Sequence, residues 1–142
     1  MDDQVFVQRV IAAPHDKVWA AVRGVDGLER WFPVIDGCRV EGSGVGCLRI
    51  MDLAGGGEMR DRIEEIDDSA QRLIYRRLQH PFPTSKYLGR VNVRPHGDSA
   101  VLTWTVDIDV APEQRAELNG FLTGAISDGV AGMAAELEGT PA

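Results

Sequence analysis

The sequence predicts an α+β domain in which a curved antiparallel sheet of seven strands wraps around one long C-terminal helix. Three observations support this prediction. Short β-rich segments separated by turn residues fill most of the chain as far as Val110. The stretch after the first β-rich segment has the start and stop signals of a helix. A long segment with one apolar side follows Pro112. A one-sided sheet and a one-sided helix bury their apolar faces against each other.

The first strand is predicted at residues 4–11, and a short helix follows it. Pro14 suits the first helical position because its missing N–H would have no partner there. Asp16 favours the positive end of the helix dipole, and Gly24 ends the helix. Residues 26–31 predict a second short helix, which stops before a proline.

Six further strands follow, because runs of β-branched and apolar residues alternate with clusters of Gly, Asp, Ser and His. The connections between them are short, so the sheet should be largely an antiparallel meander. The predicted strands are 35–41, 45–53, 58–66, 72–79, 87–95 and 100–110.

The last element is a helix from Pro112 to about Leu137, roughly 39 Å long at 1.5 Å per residue. Small residues on its apolar side predict a cavity between helix and sheet. Four glycines in it each lower helix propensity by about 1 kcal/mol relative to Ala, which indicates either room for a ligand or mobile lid, or close packing on the sheet. The apolar stripe is Leu118, Leu122, Ala125, Ile126, Gly129, Val130 and Met133, and the glycines are Gly120, Gly124, Gly129 and Gly132.

Length and charge narrow the possible functions. The 142 residues suffice for one domain, 1–142, with an ordered core at about 3–138 and no metal or disulfide staple. The net charge of −7 argues against binding nucleic acid, and no apolar run is long enough for a membrane span. The acidic start is unlike a signal peptide. We therefore expect a cytoplasmic protein, either a monomer or a homodimer.

Residues 13–19 (APHDKVW), 31–33 (WFP) and 45–49 (VGCLR), together with the order of elements, resemble the helix-grip, START-related (SRPBCC) superfamily. This is the polyketide cyclase/dehydrase and lipid-transport group, which is related to birch pollen allergens. The resemblance covers nearly the whole chain and implies the helix-grip fold with a cavity for a hydrophobic molecule and no cofactor. It specifies activity poorly, since members include hormone receptors, lipid carriers, cyclases and co-chaperone domains.

Residues 35–41, 45–49 and 64–68 look most like the branch that contains plant abscisic acid receptors. Those receptors meet a ligand carboxylate with a cavity Lys, but Asp36 stands at the matching position, and their gating-loop motifs are absent. An abscisic acid receptor is therefore not expected, although the resemblance still implies the cavity. The predicted ligand-binding residues are Asp36, Arg49, Met51, Met59, Asp61, Tyr75, Arg77, Phe82, Tyr87, Gly89, Trp104, Phe121, Ala125 and Gly129.

Strand alternation supports part of this set independently. On residues 100–110 the face that contains Trp104 is clearly the apolar one, so Trp104 should point inward. On residues 72–79 both faces carry apolar residues, and the pattern does not choose the face of Tyr75 and Arg77.

A tight turn at Gly42 and Ser43 would set Asp36 opposite Arg49 on the neighbouring strand. This pair either orients a polar ligand group inside the cavity or holds the hairpin in register at the rim.

The same register sets Cys38 opposite Cys47. The two thiols are close enough there for a disulfide, but reduced packed thiols are expected in the cytoplasm. No spacing of Cys, His or acidic residues indicates a metal site.

Asp61, Tyr75 and Arg77 are the candidate catalytic residues. An apolar cavity would raise the pKa of the Asp61 carboxyl toward neutrality, and a Tyr hydroxyl can stabilise an enolate during cyclisation or dehydration. The alternative is that Asp61 and Arg77 neutralise each other across adjacent strands. His80 is a further titratable group, in a loop that lies at the cavity mouth in the family.

Three functions remain. The favoured one is binding or transport of a small hydrophobic molecule, such as a lipid, polyketide or aromatic metabolite. The second is a cyclase, aromatase or dehydratase that uses Asp61, Tyr75 and Arg77 without a cofactor. The third is a co-chaperone-like interaction module.

Overall fold

The structure is a computed structural model that describes residues 2–139. A seven-stranded sheet, in which every neighbouring pair is antiparallel, curves around one long helix. The strand order is β1-β7-β6-β5-β4-β3-β2. The elements are β1 (Asp2–Ile11), α1 (His15–Arg23), β2 (Ile35–Glu41), β3 (Leu48–Leu53), β4 (Glu58–Asp67), β5 (Arg72–Gln79), β6 (Thr84–His96), β7 (Ser99–Val110) and α2 (Arg115–Glu138). The predicted fold class is confirmed.

The segment between β1 and β2 contains one α-helix rather than two. Helix α1 buries Val18, Trp19 and Val22 and ends at Gly24, as the sequence predicts. The second predicted helix is a single 3₁₀ turn, Leu28–Arg30. The turn begins after Gly27, whose left-handed φ of 80° a residue with a side chain rarely adopts.

The β2–β3 hairpin has a longer loop than the sequence indicates. Val40 pairs with Arg49 and Cys38 pairs with Met51, so the loop spans residues 42–47 instead of turning on two residues. Positive φ angles at Gly42, Gly44 and Gly46 make this wider path possible. Strand β3 consequently begins at Leu48 rather than at residue 45.

The longer loop overturns both predicted cross-strand pairs. Asp36 is the extra residue of a bulge between Ile35 and Gly37, and its side chain is exposed on the outer side instead of facing Arg49. Cys38 is not opposite Cys47, and both thiols are free. The predicted Asp36–Arg49 ion pair is therefore wrong.

Helix α2 lies across the concave face of the sheet. It buries most of the predicted stripe, together with Ala134: Leu118, Leu122, Ile126, Gly129, Val130, Met133 and Ala134. Its C-terminal half is fastened to the chain after α1, where Trp31 Nε1 donates to Glu136 at 2.8 Å. Lys17 Nζ donates to the carbonyl of Leu137 at 2.9 Å.

The four glycines of α2 fall into two pairs. A Cβ at Gly129 would overlap the ring of Phe32, and one at Gly132 would lie 2.6 Å from the carbonyl oxygen of Trp31, so these two positions require close packing. Gly120 and Gly124 instead face open space. Close packing therefore accounts for Gly129 and Gly132 only, and their partners are Phe32 and Trp31 in the segment before β2 rather than residues of the sheet.

Candidate ligand-binding cavity

A cavity of about 380 Å³ lies between the concave face of the sheet and the N-terminal half of α2. Its volume falls in the range of small-molecule sites, about 300–1,000 Å³. Most of its wall is aliphatic or aromatic, and Arg77 is the one charged side chain that residues 2–139 contribute to it. The lining residues are Leu28, Phe32, Val34, Ile35, Leu53, Ala54, Gly56, Met59, Tyr75, Arg77, Pro81, Phe82, Tyr87, Trp104, Phe121, Leu122, Ala125 and Ile126.

The inner end of the cavity is a fixed aromatic wall. Trp104 Nε1 donates a hydrogen bond of 3.1 Å to the Tyr75 hydroxyl, which fixes both rings. Phe32 meets Trp104 edge to face, with 5.5 Å between ring centroids. Such pairs contribute about 0.5–1.5 kcal/mol beyond area burial, so this wall is formed before any ligand arrives.

The mouth is formed by the loop between β5 and β6 and by the exposed start of α2. The rings of Phe82 and Phe121 face each other across it, with centroids 5.8 Å apart. Phe121 is 52% exposed, although it is one of the largest apolar side chains in the chain. The mouth is therefore an apolar opening that only two rings narrow.

His80 sits beside this mouth in an uncharged form. Its ring packs on Phe82 at 5.7 Å, and the backbone N–H of Phe82 donates to Nδ1 at 3.1 Å, so the proton of the neutral ring lies on Nε2. Burial and the nearby Arg77 guanidinium lower the pKa of His80. The ring therefore stabilises the loop as an acceptor.

Behind the cavity wall, Asp61 holds two guanidinium groups. Arg49 donates to Oδ2 from Nη2 at 2.8 Å and from Nε at 3.1 Å. Arg77 donates to Oδ1 from Nε at 2.7 Å and to Oδ2 from Nη2 at 3.2 Å. The Asp61 side chain is 0% exposed, Arg49 is 3% and Arg77 is 8%. We call these three residues the charged cluster.

This geometry stabilises the ionised form of the Asp61 carboxyl. Burial acts to raise the pKa of Asp61, but Arg77 and Arg49 outweigh it and hold the pKa below its usual value. The raised pKa expected for a catalytic carboxyl is therefore not found. Burial raises the pKa of the Tyr75 hydroxyl far above its usual value. The structure contains the Asp61–Arg77 ion pair that the alternative interpretation expects.

Each of the three nitrogens of Arg49 already has an acceptor among the described residues. Its third nitrogen, Nη1, donates to the carbonyl oxygen of Val25 at 3.2 Å. Val25 has a φ of 66°, a left-handed conformation that is costly for a β-branched residue. Arg49 therefore holds a strained turn just before Leu28, which lines the cavity.

Arg77 differs from Arg49 in this respect. Among residues 2–139 its Nη1 group has no acceptor, while its other nitrogens bind Asp61. Every fully buried side-chain polar atom of the described residues has a hydrogen-bond partner. Because Nη1 of Arg77 has no partner, it is not fully buried. The guanidinium lies 4.4 Å from the centroid of Tyr87 and 5.4 Å from that of Tyr75.

The structure places eight of the predicted ligand-binding residues on the cavity wall. The remaining six lie elsewhere: Asp36 is exposed on the bulge, Arg49, Met51 and Asp61 are packed behind the wall, and aromatic rings cover Gly89 and Gly129. The eight on the wall are Met59, Tyr75, Arg77, Phe82, Tyr87, Trp104, Phe121 and Ala125. Their role in binding stays a prediction.

The sequence interpretation missed the wall that the segment before β2 provides. Leu28, Phe32, Val34 and Ile35 all line the cavity, although only Phe32 and Ile35 belong to stretches that the sequence singled out. Leu122 and Ile126 belong to the apolar stripe that the sequence predicts for the last helix. That position was the signal that could have identified them as cavity residues. Leu53 ends β3, Ala54 and Gly56 lie in the loop between β3 and β4, and Pro81 lies in the loop between β5 and β6.

Residues 2–139 contain neither a helix suited to spanning a membrane nor a cluster of metal-ligating side chains. No helix there is long and apolar enough to cross a membrane. No group of three His, Cys, Asp or Glu side chains comes together there as a metal site needs.

Comparison with known proteins agrees with this architecture. The model of a family described as polyketide cyclase/dehydrase and lipid transport matches residues 3–138. A search of curated proteins finds no significant match.

Many solved structures are similar to the chain. A protein from Thermobifida fusca has 28% identity and a TM-score of 0.83, and the alignment covers 95% of each chain. A Bacillus cereus protein has 20% identity and a TM-score of 0.85, with 94% of each chain covered. Norcoclaurine synthase from Thalictrum flavum, solved with dopamine and hydroxybenzaldehyde, has 16% identity and a TM-score of 0.82. The alignment with it covers all of this chain and 90% of the enzyme. At such low identities the last two likenesses concern the fold alone.

Proposed function

The chain belongs to the polyketide cyclase/dehydrase and lipid transport family, and we propose that it binds or carries one small, largely apolar molecule between the sheet and α2. The observation that carries this proposal is the cavity of about 380 Å³, whose wall is mostly apolar and, among the described residues, carries one charged side chain, Arg77. A buried apolar wall of this size gains free energy when a ligand replaces water, by about 25 cal/mol for each Å² of apolar surface.

The volume limits the size of the ligand. At about 30 Å³ of liquid volume per water, 380 Å³ corresponds to roughly 13 waters. A molecule with about that many non-hydrogen atoms fits, which describes a one- or two-ring aromatic metabolite or a medium-length acyl chain. A lipid with two long acyl chains does not fit inside.

The aromatic wall favours a flat ligand. Phe32 and Trp104 are held in an edge-to-face pair at the inner end, and Phe82 and Phe121 stand at the mouth. A planar ring entering between them meets aromatic surface along its length, and aromatic pairs contribute energy beyond area burial. Aromatic or polyketide-like ligands are therefore favoured over branched aliphatic ones.

The cyclase or dehydratase alternative has less support from the geometry. A general base needs a pKa near the working pH and a free acceptor position. The Asp61 carboxylate accepts four hydrogen bonds from arginine and has a lowered pKa. The catalytic role of Asp61, Tyr75 and Arg77 stays a prediction without the raised pKa on which it rested.

A cavity-filling variant tests the proposal. The neutral fluorescent dye 1-aminoanthracene is titrated into the purified protein, and saturable binding is expected. Ala125→Trp places a large ring in the cavity, because Ala125 is on its wall, and should weaken dye binding by at least tenfold. Ala135→Trp makes the same substitution at an exposed position of the same helix, and should bind like the original protein.

Two results would overturn the proposal. One is the absence of saturable dye binding to the folded protein. The other is unchanged binding in Ala125→Trp, provided that its circular dichroism spectrum and thermal unfolding show a folded chain. The second result would place the bound dye outside this cavity.

A further inference from the structure

Resting on the proposed function, we infer that the ligand carries one singly charged acidic group, such as a carboxylate, and that this group binds Nη1 of Arg77. The cavity would thus select apolar acids over neutral or basic molecules of the same size. The inference comes from the charge, the free donors and the surroundings of the charged cluster.

The charged cluster has one more positive than negative charge. Arg49 and Arg77 each form an ion pair with Asp61, and neither forms one with another acidic residue of the described chain. All three side chains are more than nine-tenths buried. A buried charge without a counter-charge is strongly unfavourable, and a bound anion would supply that counter-charge. The surplus of one charge matches a single carboxylate.

The free donors identify the arginine that the anion binds. Arg49 uses Nε and Nη2 for Asp61 and Nη1 for the Val25 carbonyl. Arg77 uses only Nε and Nη2. A guanidinium has five N–H bonds, two of them on Nη1. Arg77 therefore keeps Nη1 free, and Arg77 is also the arginine on the cavity wall.

The surroundings fix the direction of that donor. Asp61 binds the opposite side of the Arg77 guanidinium at 2.7 Å, and the rings of Tyr87 and Tyr75 lie within 4.4 and 5.4 Å of its central carbon. A guanidinium held in this way loses little freedom when it binds a ligand. Hydrogen bonds between charged groups are about twice as strong as neutral ones.

The rest of the wall determines where the acidic group points. Apart from Arg77, the lining between Phe121 at the mouth and Trp104 at the inner end is almost entirely apolar. Among the described lining residues, an acid with an apolar body finds a positively charged partner only at Arg77, while Tyr75 and Tyr87 offer neutral hydroxyls. A cationic amine would meet a surplus of positive charge, and a neutral molecule would leave that surplus unbalanced.

A pair of ligands that differ only in charge tests the inference. The probes are 2-naphthylacetate and its neutral amide, 2-naphthylacetamide, which have the same shape. Each competes with bound 1-aminoanthracene, and the loss of dye fluorescence gives its affinity. A charged hydrogen bond is stronger than a neutral one by about 1.4 kcal/mol or more, so the acid should bind at least tenfold more tightly than the amide.

Two variants assign this preference to Arg77. Arg77→Met leaves the balanced Arg49–Asp61 pair and should remove the preference for the acid over the amide. Arg76→Met removes the same charge from the neighbouring, exposed position of β5, where Arg76 pairs with Glu64 at 3.4 Å, and should keep the preference. If Arg77→Met does not fold, Arg77→Gln replaces it, because Gln still donates to Asp61.

The outcomes separate this inference from the proposed function. If the dye binds but acid and amide compete equally, or neither competes, the inference is wrong and the proposed function stands. A preference for the acid that persists without the Arg77 charge also overturns the inference. If the dye itself does not bind, the proposed function fails as well.

Discussion

The ring of Tyr75 on β5 occupies the space that a side chain at Gly89 on β6 would need. The two residues are paired across the strands, and a Cβ at position 89 would overlap the ring. Because the ring is fixed there, its hydroxyl meets Trp104 and its face lies 5.0 Å from the Arg49 guanidinium carbon. A residue without a side chain thus sets the inner wall of the cavity.

Gly89→Ala should therefore destabilise the protein by about 1–3 kcal/mol, the usual cost of overpacking a core. The shifted ring should also weaken dye binding, since Tyr75 lines the cavity. Urea unfolding and the 1-aminoanthracene titration measure the two effects. Gly120→Ala is the control, because the Cβ there meets open space and should stabilise the helix by up to about 1 kcal/mol. Equal stability of the two variants would contradict the assignment.

Asp61→Asn should be among the most destabilising single substitutions. It removes the carboxylate that holds Arg49 and Arg77 and leaves two buried guanidiniums without a counter-charge. Breaking a buried pair in this way costs about 3–5 kcal/mol, which urea unfolding at neutral pH would reveal. Glu64→Gln, which removes a partly exposed partner of Arg62 and Arg76, should cost no more than about 1 kcal/mol. A small effect of Asp61→Asn would show that the charged cluster is hydrated.

Phe121→Ala should change the rate of ligand exchange more than the affinity. Phe121 is half exposed and narrows the mouth by its contact with Phe82. Without the ring, 1-aminoanthracene should leave the cavity several-fold faster, as measured by stopped-flow competition. Phe6→Ala provides the control, because Phe6 is equally exposed, on β1 at the edge of the sheet. An unchanged dissociation rate would place the entrance elsewhere.

Stability should fall as the solution becomes acidic, in two stages. The lowered pKa of His80 means that the unfolded chain takes up a proton first, so stability declines as pH falls below about 6.5. The lowered pKa of Asp61 likewise gives stability that is present above about pH 3.9 and is lost below it.

Urea midpoints at pH 7 and pH 5 isolate the first stage. His80→Gln should reduce the difference between the two midpoints, since Gln can still accept from the Phe82 N–H. His96→Gln, at the exposed end of β6, is the matched control for the loss of one histidine. The same pH response in both variants would remove His80 from this explanation.

The sequence predicts the bounds of the strands better than it predicts which residues pair across them. Strand β5 has its predicted bounds, because its pattern and its flanking turn residues are local signals. The β2–β3 partners depend on the path of the loop at residues 42–47, which three glycines leave open. The true register differs from the predicted one by an even number of residues, so the inward face of β3 is right although its partners are wrong.

The sequence predicts cavity residues correctly where a side chain on the inner face of a strand also lines the cavity. Trp104 is an example, since its strand alternates cleanly between apolar and polar faces. Gly89 and Gly129 were expected on the wall, but rings from distant parts of the chain fill the space beside them. The charge state of Asp61 depends on two arginines from other strands. No local pattern reports such contacts.

The solvent-facing glycines of α2 affect the movements of the helix near the mouth. Gly120 and Gly124 flank Phe121, touch nothing at their missing Cβ positions and weaken the helix by about 1 kcal/mol each. The C-terminal half is instead fastened through Trp31 and Lys17. We therefore expect local opening to begin in the turns beside the cavity, and the amide hydrogens there to exchange with solvent sooner than those beyond Val130. The cavity then lies beside the part of α2 that needs the least free energy to unfold locally.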